Sequence, residues 1–269
     1  MTGFGDRPSS PNVQALDRAL DAQFGSGDPN LADNLFAIVD ALDSSPALRR
    51  ALTNPNAPAA ARQHVLRGLL EGKVGEPALQ VGVEGVGLRW NGGRILADAL
   101  EREGVRAVLR GAGDQLDSAE DDLFRFARMV DGTPDLRTAL ADRTRSVADR
   151  QALVTSLLDG KANPAAVRLA QRAVSARERT FALTLQRYVE DAARLRASTI
   201  ATVRVARELD AEQLERLRAA LSRQGGQPIT IQQIVDPSVI GGVRVELGGE
   251  VIEGSVSGRL DDARRQLGA

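Results

Sequence analysis

Cysteine is absent from this chain, which removes a disulfide framework, a thiol nucleophile and a thiolate metal site together and is compatible with a reducing compartment. Histidine occurs once, as His64, so no histidine pair exists for zinc and no Ser-His-acid set forms without recruiting this residue arbitrarily. Lysine is nearly missing too: Lys73 and Lys161 are the only two. Arginine carries the rest of the positive charge, which suits carboxylate or phosphate recognition but is explained more plainly by coding bias. Neither sign of charge dominates: 35 basic residues face 36 acidic ones, and no long-range field favours nucleic acid or an anionic lipid surface. Aromatics are only 3% of the chain, so cores must be built from Ala, Leu and Val, a set that favours close helix packing. No run approaches 18 consecutive apolar residues and Met1–Pro11 has no apolar core, so by these signals the chain neither crosses a membrane nor is exported.

What remains is ample for folding. The chain has 269 residues, 42% apolar and 26% charged, enough for two or three packed domains with a wet surface. Sliding the sequence on itself by 88 residues aligns Asp33–Arg89 with Asp121–Arg177 without a gap, with 19 of 57 positions identical. That is several times the chance level for so Ala/Arg/Leu-rich a chain, and it marks a duplicated module. Identical pairs include Leu35-Phe36 with Leu123-Phe124, Arg62-Gln63 with Arg150-Gln151, and Leu69-Leu70 with Leu157-Leu158.

Each copy reads as short helices. Leu35, Ile38, Val39 and Leu42 form one stripe, repeated by Leu123, Phe126 and Val130. Ser45-Pro46 and Thr133-Pro134 read as an N-cap followed by proline at the first helical position. Val65, Leu66, Leu69 and Leu70, matched by Leu153, Val154, Leu157 and Leu158, supply the next apolar face, ended by Gly72 and Gly160 as C-caps. A further helix is expected around Pro77–Leu88 and Pro164–Val174. A longer one closes each copy, carried in the second by Phe181, Leu185, Tyr188, Val189, Ala192 and Leu195. In the first copy its counterpart, about Gly93 to Leu116, also opens the second copy, with its glycines weakening the stretch from Leu109.

Near Ser198 the pattern changes. Thr199–Val205 is β-branched and alternating, which predicts a strand. Asp210 and Gln213 have capping-box spacing before the helical face Leu214, Leu217 and Leu221. Pro228–Val235 and Val239–Leu247 read as strands, Gly248-Gly249 as a hairpin turn into Glu250–Glu253, and Val256, Leu260, Ala263 and Leu267 as a short closing helix. The fold class is therefore mainly α: two related helical-bundle modules followed by a small α/β C-terminal domain.

Several chemical motifs dissolve on inspection. Gly72-Lys73 and Gly160-Lys161 lack the following Ser or Thr and the glycine spacing of a phosphate loop, and glycine-capped helix ends account for both. His64 is matched by Ala152 in the second copy, so no role of it is duplicated. Glu120-Asp121-Asp122 suits a helix start, where negative charge is favoured, better than a catalytic carboxylate pair. The arginines from Arg168 to Arg179 alternate with acids and lack aromatic partners for base stacking, as on a solvated or protein-binding face. Trp90 could be an exposed anchor but reads more simply as core.

One segment is specific. Asp236-Pro237-Ser238-Val239-Ile240-Gly241-Gly242-Val243-Arg244-Val245-Glu246-Leu247-Gly248, continued by Glu250-Val251-Ile252-Glu253-Gly254-Ser255-Val256 and Arg259-Leu260, resembles the signature of the ATP synthase delta/OSCP family. It combines an Asp-Pro turn, a glycine pair within a strand, a hairpin and a Gly-Ser helix entry in that family's order. Within a strand such a glycine pair needs a bulge or a close backbone approach to justify it. The resemblance extends back through about residues 118–204, with Arg179 before the last long helix and Gly93-Arg94-Ile95 as the same feature in the first module. Glu253 stands where the family usually has aspartate, and the chain is about one helical module longer than ordinary members.

The resemblance implies a non-catalytic delta subunit of the F-type ATP synthase, part of the stator that links the alpha/beta ring to the b stalk so that proton-driven rotation is coupled to ATP synthesis. It implies no cofactor and no metal. The partners would be the N-terminal helices of alpha subunits and a b-type stalk subunit, with no nucleic acid, and the location would be the cytoplasmic side of the cell membrane, peripheral, within the complex. Expected boundaries are 1–115 for the extra module, 94–198 for the delta-type helical domain sharing a helix with it, and 199–269 for the small domain, with the signature at 236–256. By the same resemblance Asp236, Pro237, Ile240, Gly241, Gly242, Gly248, Gly254 and Ser255 are signature positions, and Arg94, Arg179, Val239, Val256 and Leu260 are candidate partner contacts. The stretches 94–112 and 164–174 would form the groove for alpha, and Val239–Val256 with the last helix would support the b contact. Which copy meets alpha stays open. A stand-alone helical-repeat adaptor is the alternative, and an enzyme with a helical lid would need a polar pocket that no motif supplies.

Overall fold

The computed structural model of the protein describes residues 10–175, 177–225, 229–237, 239, 242–247 and 250–253. Two compact units are distinguished, Met1–Asp191 and Ala192–Ala269. Among the described residues the first has helices and no strand and the second carries a small sheet, so the chain is mainly α with an α/β C-terminal part.

The first unit contains α1 (Pro11–Phe24), α2 (Leu31–Ser44), α3 (Pro46–Leu52), α4 (Ala59–Leu70), α5 (Glu76–Gly87), α6 (Gly93–Gly111), α7 (Leu116–Gly132), α8 (Pro134–Ala141), α9 (Val147–Leu158), α10 (Pro164–Ala173) and most of α11 (Phe181–Thr199). A 3-10 turn, Gly113–Gln115, separates α6 from α7. Gly113 has φ +53°, a left-handed conformation that ends the expected long helix where its glycines weaken it.

The repeated start and stop signals are mostly shared. Ser45 accepts from the Leu48 N–H at 3.2 Å, and Pro46 occupies the first turn of α3. Thr133 and Pro134 hold the same places before α8, but the Thr133 side chain makes no capping bond. Gly72 and Gly160 adopt φ +74° and +67° just after α4 and α9, the left-handed cap that a Cβ would strain. The expected four-residue apolar face narrows. Leu66 and Leu70 are buried while Val65 and Leu69 are 42% and 43% exposed, because residues one position away lie about 100° round the helix. In α9 Val154 and Leu158 are likewise buried, with Leu153 and Leu157 half-buried.

The duplication is built into the cores as well. Buried Arg62 donates from Nε to the Val86 carbonyl at 3.1 Å, and buried Arg150 donates from Nη1 to the Val174 carbonyl at 3.2 Å. Gln63 and Gln151 bond the carbonyls of Val83 and Gln171. All four acceptors stand 88 residues apart in pairs, as their donors do. Each arginine thus satisfies carbonyls at the C-terminal end of the fourth helix of its own copy, where the helix itself supplies no donors.

Helix α6 serves both copies. It buries Leu96, Ala97, Ala99, Leu100, Glu101, Glu103, Gly104, Val105, Ala107, Val108 and Leu109, far more than one apolar stripe, because α2, α1 and α10 all pack against it. Gly104 is required there: a Cβ at this position would lie 2.5 Å from the Phe36 ring. The acidic run at 120–122 sits one turn inside α7 rather than at its start. Asp122 is used in tertiary structure, accepting from the Asn163 N–H at 2.8 Å at the entry to α10.

The second unit is a four-stranded sheet with one helix. β1 (Ile200–Val205) leads through α12 (Ala211–Gly225) to β2 (Thr230–Val235), which lies parallel to it, as a crossover connection requires. β3 (Val243–Leu247) pairs antiparallel with β1, and β4 (Glu250–Glu253) with β3, giving the order β2-β1-β3-β4. Ala201, Val203 and Val205 alternate inward and meet Leu221, Ile229 and Val245, the period-2 pattern of a half-buried strand. Asp210 and Gln213 form the reciprocal capping box: Gln213 Oε1 accepts from the Asp210 N–H at 3.1 Å and Asp210 Oδ1 from the Gln213 N–H at 2.8 Å.

One strand is shorter than expected. β3 begins at Val243 rather than Val239, and Gly242 precedes it at φ +80°, a conformation incompatible with extended pairing and open chiefly to glycine. Gly242 is thus a strand-entry turn, not a residue within the strand. Ile240, Gly241, Gly248, Gly254, Ser255, Val256 and Leu260, with the expected Gly248-Gly249 turn and closing helix, lie outside the described residues.

Candidate partner-binding surfaces

Three arginines of α10 and the turn after it bond carboxylates of the chain itself. Arg168 lies 2.5 Å from Asp33, Arg172 bonds Asp40 at 2.8 Å and Glu101 at 2.7 Å, and Arg177 bonds Asp43 and, at 2.5 Å, Asp98. The sequence reading as a solvated or partner-binding face is therefore corrected for Arg172 and Arg177, which rivet the second copy to α2 and α6 of the first, while Arg168 stays partly exposed in its pair with Asp33. Glu101 is buried and also accepts from the Tyr188 hydroxyl of α11. Burial and the Glu101 carboxylate push the Tyr188 phenol well above its ordinary range. Burial works against the Arg172 cation, but its bonds to Glu101 more than offset that and hold its pKa above the usual value. The Arg172 guanidinium also lies 4.6 Å over the Phe36 ring, a cation–π contact in a desolvated place.

A second charged seam joins α1 to α6. Arg102 bonds Asp17 at 2.7 Å and Glu103 at 2.5 Å, Arg106 bonds Asp17 at 2.8 Å and Asp21 at 3.2 Å, and Arg110 bonds Asp21. Glu103 is fully buried among them, and burial pushes its carboxyl up to about 7 against the pull of Arg102. These charges serve one another.

Arg94, in the first turn of α6, is largely exposed and donates to the Arg177 carbonyl at 2.6 Å. Arg179 is exposed, has φ +71°, and its carbonyl accepts from Arg143 at 3.4 Å. The fold thus brings Arg94 to the turn that contains Arg179. Asp236 and Pro237 form the turn after β2, the Asp236 N–H donating to the Val205 carbonyl at 2.8 Å. Val239 is half-buried in the following bend.

Most of α6 is covered by neighbouring helices, and its C-terminal end walls an open cleft. There Ala107, Val108, Gly111 and Ala112 meet Asn163, Pro164, Ala165 and Arg168 of the α10 entry across a cleft of about 540 Å³. Phe24, Pro29, Leu31 and Ala32, from the α1–α2 connection, form its third wall. The lining is mainly apolar, with Asp28, Gln115, Asn163 and Arg168 as its polar members, the make-up of a helix-receiving groove. Other exposed large apolar side chains are Phe124 and Met129 on α7, Val147 on α9, Leu183 on α11, and Val235 and Val251 in the sheet unit.

Trp90 is core, its indole N–H donating to the Gly85 carbonyl at 2.7 Å, and His64 is exposed. Among the described residues no group of three or more His, Cys, Asp or Glu is placed to hold a metal ion, and no helix is long and apolar enough to cross a membrane.

Comparison with known proteins adds a family context. The family model described as ATP synthase delta (OSCP) subunit matches residues 105–267, which takes in the end of α6, the second copy and the sheet unit. A protein named ATP synthase subunit delta from Kineococcus radiotolerans is 46% identical over 257 residues, 94% of this chain and 93% of that one. Proteins of the same name from Nocardioides sp. and Cutibacterium acnes are 45% and 38% identical, covering 88% and 95% of this chain and 86% and 97% of theirs. The shared length reaches into the first helical copy.

Proposed function

The chain belongs to the ATP synthase delta (OSCP) subunit family, and from that premise we propose that it acts without an active site, holding the alpha/beta ring to the b stalk through two separate surfaces. It is a delta-type structural subunit of the F-type ATP synthase and part of the peripheral stalk, associated peripherally with the membrane-bound complex. A stator works by resisting torque, and a torque-bearing part needs internal rigidity and gripping faces more than it needs chemistry.

The cleft between the end of α6 and the start of α10 is the surface for an N-terminal helix of alpha. The observation that carries this assignment is its lining by apolar Ala107, Val108, Ala112, Pro164 and Ala165 together with the cation Arg168, since buried apolar faces supply the affinity of helix-in-groove binding and polar groups set register. Phe24 and Leu31 bring the first copy into the same cleft, so the extra module widens the grip. Arg94 and Arg179 border the opposite, N-terminal end of α6 and serve as a secondary contact.

The sheet unit takes the b-type subunit through Val239, Val251 and the segment that ends in Val256 and Leu260. Its place is the cytoplasmic side of the membrane, where ring and stalk meet. Domain limits of 1–115, 94–198 and 199–269 describe the same division of labour, with α6 common to the first two. Removing residues 199–269 is expected to abolish b binding and leave binding of an alpha N-terminal peptide; retained b binding would overturn the assignment.

A further inference from the structure

The two copies do not cover the same face of their second helix, and the difference exposes a surface. In the first copy Phe36 of α2 is enclosed: Gly104 lies under the ring and the Arg172 guanidinium over it. Around it on the same helical face stand Asp33, Asp40 and Asp43, each met by an arginine, namely Arg168, Arg172 and Arg177. The equivalent residue of α7, 88 positions on, is Phe124, and it is 54% exposed.

The surroundings of Phe124 repeat the pattern. Asp121 and Asp131 occupy the positions of Asp33 and Asp43, and Asp117 adds a carboxylate one turn before Asp121. All three are exposed, Asp121 with only a loose, exposed pair to Arg125 of the same helix at 3.6 Å, and spacings of three, four and seven residues place them on the Phe124 face. The position of Asp40 is taken by Arg128, also exposed. A large aromatic ring held in water among carboxylates is the uncovered form of an arrangement that, one repeat earlier, is closed by arginines.

We propose that the outer face of α7 is a docking site for an amphipathic helix from another chain of the complex, a helix that sets a small residue against Phe124 and basic residues against Asp121 and Asp131. Charge complementarity selects the occupant. Arg128 requires an acidic residue opposite it, so a second copy of this chain offering α10 does not fit: its Arg172 would meet Arg128, and like charges across a contact are repelled. The site is distinct from the α6–α10 cleft, to which α7 contributes no lining residue.

The inference rests on the chain's place in the synthase and is tested there. Phe124 is replaced by p-benzoylphenylalanine, the intact complex is purified and irradiated, and the crosslinked segment is sequenced. A crosslink to another subunit, in a helical stretch with basic residues within one turn, is expected. Its yield should fall several-fold in Asp121→Arg/Asp131→Arg, with the thermal melting of the free chain unchanged. Loss of the crosslinked subunit from that charge-reversed complex is the stronger form of the same result. A crosslink only to a second copy of this chain, a crosslink to a stretch without basic residues, an indifferent charge reversal, or no crosslink would each overturn it. Absence of the chain from the purified complex would instead mark failure of the stator assignment itself.

Discussion

Arg62 donates its Nε–H to the carbonyl of Val86 at 3.1 Å from within the core of the first helical copy, and the rest of its guanidinium bonds Asn54, Ala57, Gly87 and Leu88. One cation thereby closes the end of α5 and the loop before α4. Arg62→Met keeps the apolar stem and strands these carbonyls, so it is expected to cost about 3 kcal/mol. Arg150→Met, with fewer bonds to lose, should cost about 2 kcal/mol. Urea unfolding of the full chain followed by circular dichroism measures both; equal, negligible effects would mean that water replaces the guanidinium.

Glycines inside two helices should respond to alanine with opposite signs. At Gly68 of α4 nothing lies within 4 Å of an added Cβ, and the helix gains up to about 1 kcal/mol. At Gly104 the Cβ would approach the Phe36 ring to 2.5 Å, and that ring cannot retreat from under Arg172. Overpacking of about 1–3 kcal/mol then exceeds the same helical gain. Thermal melting of Gly68→Ala and Gly104→Ala reads the two signs directly.

Arg172→Met should be among the most damaging substitutions in the seam between copies. It leaves Glu101 buried beside Tyr188 without its cation, at a cost of about 3–5 kcal/mol. Adding Glu101→Leu removes the orphaned charge and should recover much of that loss. A double variant no more stable than Arg172→Met would show that the arginine acts by packing alone.

Glu103 gives the α1–α6 seam a pH dependence of definite sign. Its folded pKa is raised, from 4.5 to about 7, by burial, so the folded state binds the proton more tightly than the unfolded one. The stability it contributes is complete below 4.5 and is lost as pH rises through about 7. Glu103→Gln, which keeps the neutral shape, should flatten the decline between those values. An unchanged slope in urea titrations of the variant would assign the dependence elsewhere.

Sequence patterns reveal much of this fold because short-range physics dictates it. The stripe Leu35, Ile38, Val39 and Leu42, the glycine caps Gly72 and Gly160, and the Asp210/Gln213 box all depend on residues within a turn or two of each other. The paired Arg62-Gln63 and Arg150-Gln151 are visible as identities, but their burial is not, since the acceptors Val86, Val83, Val174 and Gln171 lie 20 or 24 residues away. The partners of Arg172 and Arg177 are hidden for the same reason. Alternation with acid resembles a solvated face unless the carboxylates of α2 and α6 are already known to stand opposite. The apolar run Val65, Leu66, Leu69 and Leu70 reads as one face, whereas helical phase leaves Leu69 43% exposed. Gly242 was recognisable as a glycine with a backbone task, and only its φ shows that the task is to start β3 rather than to bend it.

The central claim, that this chain transmits restraint and not chemistry, is tested most directly by reconstituting the synthase in vesicles with and without it and recording ATP hydrolysis and ATP-driven proton pumping together. The account predicts that omission abolishes pumping while hydrolysis by the ring continues, and that adding back the full chain restores coupling. Pumping that persists without the chain, or hydrolysis that disappears in step with pumping, would contradict it.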